Sequence, residues 1–115
     1  KANVVDTMQI IGDVEGKNVI LVDDIVDTAG TISKAADLMI ENGAKSVRAL
    51  ASHCIMSGNA SERVRESKMT EIVFTNSIPY DRGCPKVKQL SIAKGFAEAI
   101  KCVLNNQSIS KQYIC

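Results

Sequence analysis

Apolar residues fall along this chain in two rhythms, and the switches between them predict the fold. Residues 3–11 are rich in β-branched side chains and read as a strand, closed by a turn between Gly12 and Gly16. Val19, Ile20, Leu21 and Val22 form a continuous apolar run, the pattern of a central strand buried on both faces of a sheet. The short connection makes these two strands an antiparallel pair. From Gly30 or Thr31 the rhythm turns helical. Ile32, Ala35, Ala36, Met39 and Ile40 recur on one face, and Asn42-Gly43 supplies a left-handed cap. Residues 47–54 are the next strand, so the strand–helix–strand order predicts a right-handed parallel crossover. A short helix follows over 60–66, a strand over 71–75, a loop from Pro79 to Pro85 and a short strand over 87–90. Ser91 can cap a last helix whose core face is Ile92, Phe96, Ile100 and Val103, with a polar tail from Asn105. The alternation is that of a single α/β domain over residues 1–115 with a mostly parallel sheet.

Composition removes several function classes. The net charge is only +1, from 14 basic and 13 acidic residues, without a basic stripe. Aromatic residues are 3% of the chain, too few for base stacking, so nucleic acid is not the expected partner. Apolar runs are strand-sized, which excludes a membrane-spanning helix, and no signal peptide opens the chain. The start at Lys1, inside a strand-like pattern, predicts a piece of a longer protein. Cys54, Cys84, Cys102 and Cys115 are widely spaced and the chain has one histidine, which argues against a zinc site and for reduced thiols in the cytoplasm.

Candidate chemistry concentrates in residues 19–31, VILVDDIVDTAGT. A buried strand brings Asp23 and Asp24 to its carboxyl end, where α/β sheets place their ligands. Asp27, Thr28, Ala29, Gly30 and Thr31 then lead straight into a helix. Small residues admit close backbone approach, and first-turn N–H groups bind an anion without Lys or Arg. Thr28 and Thr31 add hydroxyl donors. The aspartates fit beside a phosphate only if the ligand also carries hydroxyls and a divalent cation, as a sugar phosphate with Mg²⁺ does. Neither G-x-x-x-x-G-K-S/T nor G-x-G-x-x-G is present. The bland alternative is an acidic turn that merely starts a helix.

His53 at a strand end and Cys54 beside it read as structural. The charges Glu62, Arg63, Arg65, Glu66 and Lys68 read as a solvated helix face, and Asp81-Arg82-Gly83 as a turn.

The stretch VILVDDIVDTAGT resembles the phosphoribosyl-pyrophosphate fingerprint of type I phosphoribosyltransferases. NVVDTMQIIGDVEGKNVILVDD, AADLMIENGAKSVRALASH, Ser57-Gly58, TNSIP and QSIS narrow the resemblance to the ribose-phosphate pyrophosphokinases, over nearly the whole chain. Cys54 departs from it, standing where relatives carry glycine. The resemblance implies a three-layer, phosphoribosyltransferase-like fold and the carboxyl-terminal half of a cytoplasmic, homo-oligomeric enzyme. That enzyme transfers the diphosphate of ATP to ribose 5-phosphate, giving phosphoribosyl pyrophosphate and AMP.

On the same resemblance, residues 27–31 hold the 5-phosphate, while Asp23, Asp24 and Asp27 face the ribose hydroxyls and Mg²⁺. Asp23 and Asp24 are the implied metal ligands, directly or through water. The catalytic basic loop is expected upstream of Lys1, with no catalytic residue in this piece. Ser108, Ile109 and Tyr113 are implied to form part of an inter-subunit allosteric site for phosphate and ADP. Rival readings are a non-catalytic regulatory homologue, a salvage phosphoribosyltransferase, for which no nucleobase-binding segment is present, and an acidic receiver-type domain.

Overall fold

The computed structural model describes residues 8–110. Its elements follow in the order β1 (Asn18–Val26), α1 (Gly30–Glu41), β2 (Ser46–Cys54), α2 (Ala60–Glu66), β3 (Glu71–Thr75), β4 (Val87–Leu90) and α3 (Ala93–Leu104). The four strands form one sheet in the order β1-β2-β3-β4, every neighbouring pair parallel. This is the expected α/β class, and the spans of α2, β3 and β4 agree with the sequence reading.

Strand alternation divides the sheet into two unlike faces. Val47, Ala49, Ile72 and Phe74 point to one side, where Ile32 and Ala36 of α1 and Ala60 and Val64 of α2 close over them in a single buried cluster. On the other side Ile20, Val22, Leu50 and Leu90 remain exposed. Among the described residues, β1 is an edge strand and not a central one, and its Val22 is 77% exposed. The apolar run of β1 does specify two faces that favour burial, but only one is covered here. Residues 8–11 form no strand, so the expected antiparallel pair is not seen; residues 3–7 lie outside the described residues. Ile11 is 98% exposed, and without a ladder partner its β-branched neighbourhood has nothing to pair with.

The last helix departs from expectation in the same way. α3 begins after Ile92, one residue beyond Ser91, whose hydroxyl accepts from the Ala93 N–H at 3.2 Å. Its apolar stripe is present, yet α3 buries none of its residues, and Phe96, Ile100 and Val103 are each at least 60% exposed. The radius of gyration is 17.0 Å, against about 13 Å for a compact domain of this length.

Helix α1 ends where the sequence places its cap. The Gly43 N–H donates to Ile40 O and the Ala44 N–H to Met39 O, both at 3.0 Å, the paired bonds of a Schellman motif. Gly43 has φ +94°, and a Cβ there would stand 3.1 Å from Glu15 Cγ and 3.4 Å from Glu15 Cα. Its carbonyl also accepts from the Gly16 N–H at 2.8 Å, tying the cap to the turn before β1. Gly43→Ala is therefore expected to cost about 1–2 kcal/mol, from left-handed strain plus the clash. A urea midpoint unchanged in that variant would contradict this account of the cap.

Candidate functional site

The carboxyl ends of the parallel strands converge on the segment between β1 and α1. A cavity of about 250 Å³ is lined there by Asp23, Asp27, Thr28, Ala29, Gly30 and Thr31, among others. Six of the seven residues singled out from sequence thus lie together. The exception is Asp24. β1 runs on past both acids to Val26, through the register pairs Ile25–His53 and Val26–Cys54. Asp24 is exposed and does not line this cavity.

The segment turns sharply because Ala29 sits in the left-handed region with φ 64°. A residue with a Cβ is strained there by about 1–2 kcal/mol, so the surroundings must hold it. Burial does part of this: Ala29 is 4% exposed and belongs to the core cluster. The first helical bond, Ser33 N–H to Ala29 O at 3.1 Å, does more. The N–H groups of Gly30 and the residues just after it open α1 at the cavity, beside the exposed hydroxyl-bearing Thr28 and Thr31.

Three residues outside the sequence-predicted set prove to belong to this region. Ser57 donates its N–H to Asp27 O at 2.8 Å and its hydroxyl to Asp27 Oδ1. One oxygen of Asp27 is therefore engaged by the protein itself. Arg63 of α2 donates from Nη1 to Thr28 O at 2.9 Å, which replaces the solvated-face reading of this residue. Lys34 of α1 lines a neighbouring cavity of about 490 Å³ together with Thr28, Gly30 and Thr31. The only sequence signals were the Ser57-Gly58 element, quoted without a role, and positive charge one helical turn beyond Gly30.

The sheet end beside the cavity is held by polar ties. His53 Nδ1 lies 2.8 Å from Ser77 Oγ, and Thr75 Oγ1 donates to Ser52 O at 2.6 Å, joining β2 to the end of β3. His53 has a partner that accounts for its position. Burial pushes the Cys54 thiol above its ordinary pKa, and the Arg82 guanidinium offsets this only in part. A protonated, fully buried thiol is a poor nucleophile, so packing is its role. Arg82 also lies over the Tyr80 ring at 4.9 Å and donates to Ile55 O at 3.0 Å, giving the 81–83 turn a structural function.

In the tail, the Ser108 and Ser110 hydroxyls lie 2.8 Å apart, and Tyr113 lies outside the described residues. Among the described residues no three His, Cys, Asp or Glu side chains gather into a metal cage, and no helix is long and apolar enough to cross a membrane. Cys54 and Cys84 are free thiols.

Comparison with known proteins gives a concordant picture. A ribose-phosphate pyrophosphokinase of Porphyromonas gingivalis is 62% identical over 113 residues, which is 98% of this chain and 36% of that protein. Ribose-phosphate pyrophosphokinase 4 of Saccharomyces cerevisiae is 46% identical over 110 residues, 96% of this chain and 34% of the relative. The chain thus spans about a third of the length of these relatives. The crystal structure of phosphoribosylpyrophosphate synthetase from Mycobacterium smegmatis superposes with a TM-score of 0.80 at 41% identity, covering 84% of this chain and 33% of that one. The family described as the phosphoribosyl synthetase-associated domain matches residues 2–114, so the chain belongs to that family.

Proposed function

We propose that this chain is the ribose-5-phosphate-binding, carboxyl-terminal half of a ribose-phosphate pyrophosphokinase, cytoplasmic and homo-oligomeric. The observation that carries the reading is the meeting, in one cavity, of the α1 amino terminus, two threonine hydroxyls and the Asp23 carboxylate. The helix end and hydroxyls suit a phosphate, and the carboxylate suits vicinal sugar hydroxyls. Neither half alone accounts for both donors and acceptors.

In this reading, residues 27–31 grip the 5-phosphate through backbone N–H groups and the Thr28 and Thr31 hydroxyls. Asp23 accepts from the ribose hydroxyls, joined by the Asp27 oxygen that Ser57 does not occupy. The C1 hydroxyl then attacks the β-phosphorus of ATP, forming one O–P bond as the bond to the bridging oxygen of AMP breaks. The hydroxyl proton passes to solvent or a base outside this chain. The donor set fits Mg²⁺, which binds through one or two carboxylates and keeps several waters and substrate oxygens. Asp23 would hold such an ion, with Asp24 acting only through water, and the ion would neutralise charge on the phosphates. What these residues contribute is positioning, the main element of phosphoryl transfer catalysis. Ser108, Ile109 and Tyr113 fall at the proposed inter-subunit phosphate and ADP site, where the paired serine hydroxyls offer donors.

Calorimetry tests the assignment. Ribose 5-phosphate with Mg²⁺ should bind more tightly than ribose or inorganic phosphate alone, because only the sugar phosphate engages both halves of the cavity. No binding of ribose 5-phosphate, or affinity equal to that for phosphate, would refute it. The chain by itself should release no AMP from ATP and ribose 5-phosphate.

A further inference from the structure

We propose that Arg63 is a positioning residue for the anion-binding loop, holding residues 27–31 in their binding conformation through the Thr28 carbonyl. The inference rests on the sugar-phosphate reading for its ligand, but on separate contacts for its mechanism.

The loop has no regular structure between Val26 and Gly30 and carries a left-handed alanine, so external contacts must fix it. Those contacts come from one short stretch of chain. Ser57 binds Asp27 through its N–H and hydroxyl, and six residues later Arg63 donates to Thr28 O at 2.9 Å. The guanidinium also stands 3.9 Å from the point a Gly30 Cβ would occupy, so it lies close to the first residue of α1 as well.

Fixing the Thr28 carbonyl has a geometric consequence. The peptide is planar and trans, so an oxygen turned toward Arg63 points the Ala29 N–H in the opposite direction within the same plane. It also withdraws an acceptor lone pair that would otherwise face an incoming anion. Arginine suits this work better than lysine, because its rigid planar fork sets the direction of the hydrogen bond. Its charge, set beside a loop that holds no Lys or Arg, further favours an anion there.

Arg63→Ala and Arg63→Lys decide the matter, with hydrogen exchange read by mass spectrometry in the ligand-free protein and ribose 5-phosphate affinity read by calorimetry. In Arg63→Ala, peptides covering residues 26–33 should exchange faster, while those covering Val47 and Ile72 keep their protection. Affinity should fall roughly tenfold, the loss of one charge-assisted hydrogen bond. Arg63→Lys keeps the charge without the fork and should fall between parent and alanine on both readouts. Unchanged loop exchange in Arg63→Ala overturns the proposal, even if affinity drops, because Arg63 would then act on the ligand directly. A loosened loop in a protein whose parent binds no ribose 5-phosphate would support the brace and sink the ligand assignment instead. Should the alanine variant lose protection throughout the core, the lysine variant decides on the same loop peptides.

Discussion

Gly30→Val is expected to weaken ribose 5-phosphate binding about 100-fold while leaving the chain folded. Gly30 is the first residue of α1 and lines the cavity between Thr28 and Thr31. Its φ is not in the left-handed region, so a side chain is conformationally allowed. A Cβ would meet only Thr28 Oγ1 at 3.8 Å and Arg63 Nη1 at 3.9 Å, ordinary contact distances. Valine is no worse than glycine in a helix, so stability should hold. What the branched side chain removes is the approach of a phosphate to the helix end. Losing about two charge-assisted hydrogen bonds, at roughly 1.5 kcal/mol each, gives the 100-fold figure. Gly30→Ala should show a smaller loss, since one methyl group shields less of the backbone. Calorimetry on both variants, with circular dichroism to verify folding, reads the result. A folded Gly30→Val that binds as the parent does would remove this loop from the site.

The elements were legible from sequence wherever local chemistry decides them. α2, β3 and β4 were readable because each lies between strong punctuators such as Ser57-Gly58 and Pro79 to Pro85. α1 was readable because its apolar face and its Asn42-Gly43 cap agree. The acid pair misled at the end of β1. Asp23 and Asp24 look like a strand terminus, but ladder hydrogen bonding depends on the backbone, which carries the register on to Val26. Of the two carboxylates, only Asp23 lines the cavity.

Long-range partners left no local trace. Arg63 lies 35 positions beyond Thr28, within a charged helix face of ordinary appearance, and only folding α2 against α1 brings it to the loop. The apolar runs of β1 and α3 show which faces favour burial, but a pattern of side chains does not say what covers them. That is why, among the described residues, the interior placement of β1 and the core face of α3 did not follow.

The uneven sheet leads to the largest stability effect expected in the chain. Phe74 of β3 is 1% exposed and, among the described residues, the largest fully buried side chain, paired in register with Ala51 on one side and Gln89 on the other. Its neighbours across the strands are small or polar, so little can collapse into the space it leaves. Phe74→Ala should therefore cost about 3–5 kcal/mol, the usual range for a buried phenylalanine that leaves a cavity. Domain stabilities are commonly about 5–15 kcal/mol, and a sheet covered on one face belongs at the low end, so this single change should leave a large unfolded fraction at room temperature. Val22 supplies the contrast on the opposite face, where it is 77% exposed. Val22→Thr keeps shape and strand propensity, and should change stability by no more than about 0.5 kcal/mol. Urea denaturation of both variants separates the two faces. A small cost at Phe74, or a cost at Val22 as large as that at Phe74, would mean that the buried core lies elsewhere than under α1 and α2.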